Sequence, residues 1–425
     1  MRRLVLPVLL GLLLAATILL VQGGAGLPGP AADAERGDRP LLLLVSLDGW
    51  RWDYHERLPV PTLRALIARG TRAEALVPSF PSKTFPNHYT IVTGLYPGHH
   101  GIVANNIFDP GTGRMFSPGN RTEIESPLWW GGEPLWVGVE RAGGRTATMF
   151  WPGSEAPIGG VRPSHYQLYD ASVSGTARVD QVLAWLDLPA TTRPSFVTLY
   201  FEEVDEAGHL FGPDSPEVRD AASRIDGYLR RLLDGLAARG LLDTTNLVVV
   251  SDHGMAPVSP ERTIVLDDYV APDDARVIDS NPTLALLPRA GRERAVYEAL
   301  RGAHPRLRVY RREETPRHWR FRDHPRIAPL IGVVDEGWQL VTRASLRAVA
   351  EGRARPSRGQ HGYDPREAPT MRGVFVAAGP AFREGAVVPA FGNVHVYPLL
   401  AHVLGMPPAP NDGNLEVTRR VLRRR

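Results

Sequence analysis

Four short apolar runs punctuate the chain: Leu41 to Leu47, Ser195 to Phe201, Asn246 to Val250 and Gly373 to Ala378. They are too short and too continuously apolar for amphipathic helices, and several are β-branched, so they predict strands buried on both faces of a parallel sheet. Between them, Pro61 to Arg69, Val179 to Leu186, Pro216 to Ala238 and Val394 to Leu404 repeat apolar residues at helical spacing. The alternation predicts an α/β fold, a central, mostly parallel sheet flanked by helices on both faces. Two stretches fit that scheme poorly: about 108–167, rich in Trp, Gly and Pro, and about 256–358, rich in charge. Both are expected to be inserts or a cap over the sheet edge. No internal repeat at solenoid spacing is visible.

The polar residues that end the runs carry the chemistry. Asp48 follows the first, Asp205 the second, and Asp252 with His253 the third. Ligands of open parallel sheets bind outside the carboxyl ends of the strands, so these acids can meet there. Asp205 and His209 stand at i and i+4, which on a helix puts a carboxylate and an imidazole on one face. Taken alone, the pair could equally be an Asp at a helix start and a surface His. In Ser251-Asp252-His253-Gly254-Met255, a turn with Gly at its exit lets both side chains approach one ion. Asp48-Gly49 has the same logic, with a helix cap as its alternative. His361 lies between glycines in Gly359-Gln360-His361-Gly362-Tyr363, where the backbone can come close to a ligand.

Together, Asp48, Asp205, His209, Asp252, His253 and His361 offer three carboxylates and three imidazoles. That number suits two four-coordinate zinc ions with open positions, and the nitrogen-rich set favours zinc over magnesium. Other histidines, including His55, His99, His100 and His395, lack such companions and are expected to be structural. A nucleophile is suggested at Thr84, in Pro81-Ser82-Lys83-Thr84-Phe85-Pro86-Asn87-His88, a turn that enters a helix. A hydroxyl there sees the positive end of the helix dipole, although an ordinary N-cap would look the same. Lys83, the only lysine of the chain, leaves both phosphate contact and a purely structural part open.

Composition narrows the context. With 425 residues, 43% hydrophobic and 22% charged, the chain is an ordinary globular protein with a large core. It has no cysteine, so disulfides and thiolate chemistry are excluded and any zinc must be held by His, carboxylate or hydroxyl oxygen. The net charge of +3 collects in Arg419, Arg420, Arg423, Arg424 and Arg425, a solvated basic tail over 414–425. No basic stripe elsewhere suggests a nucleic-acid surface. Met1-Arg2-Arg3, the apolar run Leu4 to Val21 and the small residues after it make 1–26 a signal peptide or an uncleaved membrane anchor. A linker at 27–40 then leads into a domain at 41–413. Export without disulfides fits a bacterial periplasm or extracellular space, or an inner-membrane anchor facing outward.

Several motifs resemble the nucleotide pyrophosphatase/phosphodiesterase family of the alkaline-phosphatase superfamily. They are Ser82 to His88, Tyr96-Pro97-Gly98-His99-His100-Gly101-Ile102, Trp129-Trp130-Gly131-Gly132-Glu133-Pro134, Asp205 to His209, Ser251 to Met255, His361-Gly362-Tyr363 and Asn411-Asp412-Gly413. The resemblance implies an alkaline-phosphatase-like fold and two zinc ions per chain. One would be held by Asp205, His209 and His361, the other by Asp48, Asp252, His253 and the Thr84 oxygen. It implies Thr84 as a nucleophile that forms a phosphothreonine ester, with Asn105 stabilising charge on a phosphate oxygen. A nucleotide base would stack between Phe85 and Tyr200, with Tyr169 shaping the pocket, while Trp129 and Trp130 belong to the core. The expected activity is hydrolysis of phosphodiester or phosphoanhydride bonds of nucleotides, releasing nucleoside monophosphate. Choline-type phosphodiesters, phosphonates and a non-catalytic envelope protein are the alternatives. A sulfatase is excluded, because the Cys/Ser-x-Pro-x-Arg context is missing.

Overall fold

The computed structural model describes residues 40–424. The expected export segment at 1–26 and all but the last residue of the linker lie outside the described residues. Among the described residues no helix is long and apolar enough to cross a membrane.

Eight strands form the main sheet, in the order Ala386–Val388, Thr71–Ala73, Phe375–Ala378, Asn246–Val250, Leu42–Leu47, Phe196–Phe201, Thr146–Met149, His165–Gln167. Leu42–Leu47 lies near the middle, fully buried and parallel to both neighbours. Its alternate residues feed two cores: Leu42 and Leu44 face one, Leu43, Val45 and Leu47 the other. Helices Pro61–Arg69, Gly175–Leu186 and Pro216–Ala238 cover the second face; Thr84–Thr93, Leu135–Arg141 and Val396–Val403 cover the first.

The longest helix shows why these segments are helical. Pro216–Ala238 has Pro at its start and Ser215 as its cap, whose side chain accepts from the Val218 N–H. Val218, Ala222, Ile225, Leu229, Leu232 and Leu236 recur at helical spacing and are buried, each large aliphatic contributing roughly 1.5–3 kcal/mol by leaving water. Asp226, on the same buried side, accepts from Thr62 and Leu63 N–H at 3.0 and 2.9 Å. It thereby caps Pro61–Arg69, whose own N-cap, Val60, has no suitable side chain.

Three expectations need correction. The run ending at Ala378 was expected to be a parallel strand, but Phe375–Ala378 is antiparallel to Asn246–Val250. The preceding His361 loop lies at the carboxyl edge of the sheet, so the chain has to leave that edge, and an apolar run carries no sign of its direction. The segment 108–167 is not wholly an insert, because Thr146–Met149 and His165–Gln167 extend the main sheet in parallel beyond Phe196–Phe201. The arginine-rich end is not a free tail. Val421 is fully buried, Leu422 bridges to Phe382, and Arg423 Nε donates to the Phe382 carbonyl at 2.8 Å. Apolar residues between the arginines anchor it.

Segment 256–358 builds a separate antiparallel sheet of four strands, in the order Ala275–Asp279, Thr283–Pro288, Leu330–Val334, Leu307–Arg311. It has its own core around Leu284, Leu286, Leu300 and Leu340.

Candidate active site

Helix Thr84–Thr93 starts directly at the expected nucleophile. Its N-cap, Lys83, provides no side-chain cap; instead Asn105 Oδ1 accepts from the Phe85 N–H at 3.1 Å. That bond orients the Asn105 amide, and its NH2 remains a donor beside the helix start. Lys83 turns the other way. Its Nζ lies 2.5 Å from Asp279 Oδ2, both side chains are buried, and Asn106 Nδ2 donates to Asp279 Oδ1 at 3.0 Å.

The six acids and imidazoles predicted to meet do so at the carboxyl edge of the main sheet. Asp205 Oδ2 is 3.5 Å from His209 Nε2, Asp205 Oδ1 is 3.7 Å from His361 Nε2, and the two imidazole Nε2 atoms are 3.1 Å apart. Beside them, His253 Nε2 lies 2.9 Å from Asp252 Oδ2, 3.4 Å from Asp48 Oδ1 and 3.2 Å from Thr84 Oγ1. The rings of His253 and His361 stack at 3.5 Å, which joins the two groups. Glycine permits this closeness. Gly49 has φ +67°, and a Cβ on it would stand 2.9 Å from Asp205 Cα, so the turn after Asp48 could not press against Asp205 with any other residue. A Cβ on Gly359 would meet the Gly208 carbonyl at 2.4 Å, which would separate His361 from the helix of His209.

Backbone carbonyls set the tautomers. Nδ1 of His209 faces the Gly359 carbonyl at 2.8 Å, Nδ1 of His253 the Gly254 carbonyl at 2.9 Å, and Nδ1 of His361 the Ser82 carbonyl at 3.0 Å. A carbonyl only accepts, so each Nδ1 carries a proton and each neutral ring turns the Nε2 lone pair inward. Three buried carboxylate oxygens there, Asp48 Oδ1, Asp205 Oδ1 and Asp252 Oδ2, have no hydrogen-bond partner. Lone pairs and anionic oxygens facing one another out of water are costly unless cations lie between them. The donor set therefore fits metal ions.

Titration points the same way. Burial pushes the Asp48 carboxyl well up, and Asp252 and Asp205 beside it push further. Burial would also raise Asp252, but the imidazoles of His253 and His88 outweigh it and hold that carboxyl well below its usual range. Burial lowers His253, yet Asp252 more than compensates and raises it, whereas burial, His253 and His209 all push His361 well down.

His88 is the functional neighbour that the sequence pattern left unmarked. It is fully buried, with Nδ1 3.0 Å from the Thr84 carbonyl and 3.4 Å from Asp252 Oδ2, and Nε2 2.8 Å from Ser46 Oγ. With Nδ1–H given to a carbonyl and Nε2 accepting from a hydroxyl, neither nitrogen is left for a metal. His88 buttresses Thr84 and Asp252 instead. Its signal was available, since Thr84 and His88 share the i, i+4 spacing of Asp205 and His209.

The aromatic expectations are redistributed. Phe85 is half-buried against Phe116 and Trp130, with ring centres 5.5 and 6.4 Å away. Tyr200 is not free to offer a ring face: it is 9% exposed, and its hydroxyl donates to Asp48 Oδ2 at 2.6 Å. The strand register explains this, because Tyr200 pairs with Ser46 and Asp48 projects from the same face two residues on. Tyr169, 39% exposed, presents the accessible ring. Trp129 and Trp130 are core residues whose indole N–H groups donate to Glu123 and to the Ile124 carbonyl.

Known proteins share this chain's sequence pattern and fold. The chain matches the family described as type I phosphodiesterase/nucleotide pyrophosphatase over residues 42–364. Ectonucleotide pyrophosphatase/phosphodiesterase family member 5 of Homo sapiens is 39% identical over 378 residues, 89% of this chain and 77% of that protein. A bis(5'-adenosyl)-triphosphatase of Xenopus laevis is 36% identical over 391 residues, 92% of this chain and 83% of that one. Among solved structures, murine ectonucleotide pyrophosphatase/phosphodiesterase 5, an inactive threonine-to-alanine variant in complex with AMP, matches with a TM-score of 0.85 at 35% identity. The match covers 91% of this chain and 100% of that one. The chain belongs to the type I phosphodiesterase/nucleotide pyrophosphatase family and has its alkaline-phosphatase-like α/β fold.

Proposed function

We propose that this protein is a two-zinc nucleotide pyrophosphatase/phosphodiesterase with Thr84 as its nucleophile. The observation that carries this reading is the convergence of imidazole lone pairs and unpartnered carboxylate oxygens, with His253 Nε2 3.2 Å from Thr84 Oγ1. Asp205, His209 and His361 would hold one ion; Asp48, Asp252 and His253 would hold the other, with Thr84 Oγ1 beside it. The chemistry such ions supply when bound is Lewis-acid: charge neutralisation at phosphoryl oxygens and a lowered pKa for a nearby hydroxyl.

The chain's own groups do the rest. Thr84 Oγ1 passes its proton to solvent water and attacks phosphorus in line. A bond from phosphorus to Oγ1 forms as the bond to the leaving oxygen breaks, and the electron pair goes with the leaving group. Water then attacks the phosphothreonine ester, releasing nucleoside monophosphate and returning the hydroxyl. Asn105 NH2, held by the Phe85 bond, donates to a non-bridging oxygen as its charge grows. His88 fixes the Thr84 backbone, and Tyr200 fixes Asp48. Phe85 and Tyr169 provide the aromatic faces for a base.

Nucleotides as substrates are supported by the relatives, one named for cleaving bis(5'-adenosyl) triphosphate and another solved with AMP. The N-terminal Arg2-Arg3 and apolar run further support export, in a periplasm or outside the cell. The decisive experiment compares the zinc-loaded protein on a nitrophenyl ester of TMP, nitrophenyl phosphate and nitrophenylphosphocholine. Preference for the nucleotide diester is expected. Preference for either of the others would overturn the substrate assignment.

A further inference from the structure

Tyr169 is exposed, yet several groups hold it. It follows the strand His165–Gln167 at the carboxyl edge of the sheet, in a stretch without regular structure up to Ser174. A loop of that kind is ordinarily mobile. Here Glu155 Oε1 accepts from the Tyr169 N–H at 2.7 Å, and Arg121 Nη2 donates to the Tyr169 carbonyl. Arg121 and Glu155 also pair with each other, so one ion pair grips both polar groups of a single peptide segment. Glu155 is 5% exposed, and Arg162 donates to its carbonyl. Burying a carboxylate is expensive unless its oxygens are used, and both of these are used on Arg121 and Tyr169.

The ring is held from the far side as well. The Tyr169 hydroxyl lies beside Glu202, and burial together with that carboxylate raises the phenol above its ordinary value. Glu202 is gripped by the buried Arg178, which reaches Glu202 Oε1 from Nη2 at 2.5 Å and also donates to the Val173 and Tyr200 carbonyls. Phe150 packs edge-on to the Tyr169 ring at 5.2 Å.

We propose that Arg121 and Glu155 are positioning residues that hold the Tyr169 ring as a fixed platform for the nucleoside of the substrate, and so set selectivity for nucleotide esters without touching substrate. The proposal rests on the nucleotide reading above. A ring held in place before binding loses no freedom when a base stacks on it, and therefore lowers KM without altering the chemical step.

The test uses zinc-loaded protein with two esters, nitrophenyl TMP and bis(4-nitrophenyl) phosphate, the second of which has no nucleoside. Arg121→Met, at a half-exposed side chain, removes the grip on the carbonyl. It is expected to raise KM for nitrophenyl TMP about tenfold, the order of one base–aromatic stack, with kcat and the second ester unchanged. Arg121→Lys should recover part of the loss, and Glu155→Gln should resemble Arg121→Met if it folds. Equal losses on both esters would mean a general structural role and would overturn the proposal. So would no loss in Arg121→Met when Tyr169→Ala raises KM for nitrophenyl TMP, an outcome that leaves the nucleotide reading standing. If Tyr169→Ala also leaves that KM unchanged, the place of the nucleoside is wrong and the proposal falls with it.

Discussion

The two flanks of the site are built on opposite rules. On the acid and imidazole flank, Asp48 Oδ1, Asp205 Oδ1 and Asp252 Oδ2 are buried without partners, and backbone carbonyls turn the lone pairs of His209, His253 and His361 toward them. On the aromatic flank, Tyr169 has its N–H and carbonyl bound to neighbouring groups and its hydroxyl beside Glu202. One flank stores unmet electrostatic demand; the other has none and offers only a surface. In the proposed reading cations answer the first and a base lies against the second, so damage to the two should be kinetically distinct.

The largest effect is expected at the junction. Thr84→Ala should lower turnover of a nitrophenyl nucleotide diester by at least about 10³-fold, as loss of a nucleophile does elsewhere, while zinc measured by elemental analysis stays bound. Near-normal turnover would remove Thr84 from the mechanism. Chelation should come next: dialysis against a zinc chelator is expected to abolish activity, lower the melting temperature through lost linkage and be reversed by zinc. Asp252→Asn should reproduce the loss without a chelator. A chelator-resistant enzyme would contradict the comparison on its charged side.

Asn105→Ala should cost about 10²–10³ in kcat, the usual scale for an oxyanion donor, with little change in KM. Phe85→Ala belongs to the other flank and should raise KM for nucleotide esters by roughly one order of magnitude while sparing kcat. If the two variants exchange these signatures, the division of labour is wrong.

The smallest effect concerns His100, an imidazole of a third kind. Its Nδ1 accepts from the Ile102 N–H at 3.1 Å and its Nε2 faces Thr90 Oγ1 at 3.0 Å, so no lone pair is spare and protonation would set N–H against N–H. Burial lowers its pKa from the ordinary 6.5 to about 3. Because the folded value is the depressed one, the unfolded chain binds the extra proton. The contribution is complete above pH 6.5 and is lost as pH falls toward 3, by at most about 1.4 kcal/mol per pH unit. Denaturant midpoints measured from pH 7 to 4 should fall less steeply in His100→Gln than in the parent.

What the sequence made legible follows from what each pattern encodes. Helices Pro61–Arg69 and Pro216–Ala238 begin and end where their apolar spacing and prolines place them. Asp48, Asp252 and His253 stood out because a polar residue closing a buried strand has few places to go. The direction of Phe375–Ala378 did not show, since burial on both faces looks alike in either direction. Nor did the part of Tyr200, because its bond to Asp48 depends on register between strands far apart in sequence. His88 could have been marked by its i, i+4 spacing from Thr84, but its hydroxyl and acid partners, Ser46 and Asp252, come beside it only in the fold.

The buried pair of Lys83 and Asp279 has a bearing on how such an enzyme can be cut down or remodelled. The ammonium belongs to the residue before Thr84, and the carboxylate to the last residue of a strand in the 256–358 sheet. Replacing that sheet by one that keeps its packing but lacks the acid at position 279 would leave Lys83 an unpaired charge in a dry setting one residue from Thr84, an error worth several kcal/mol. Positions 83 and 279 are therefore to be exchanged between homologues together, or both made neutral.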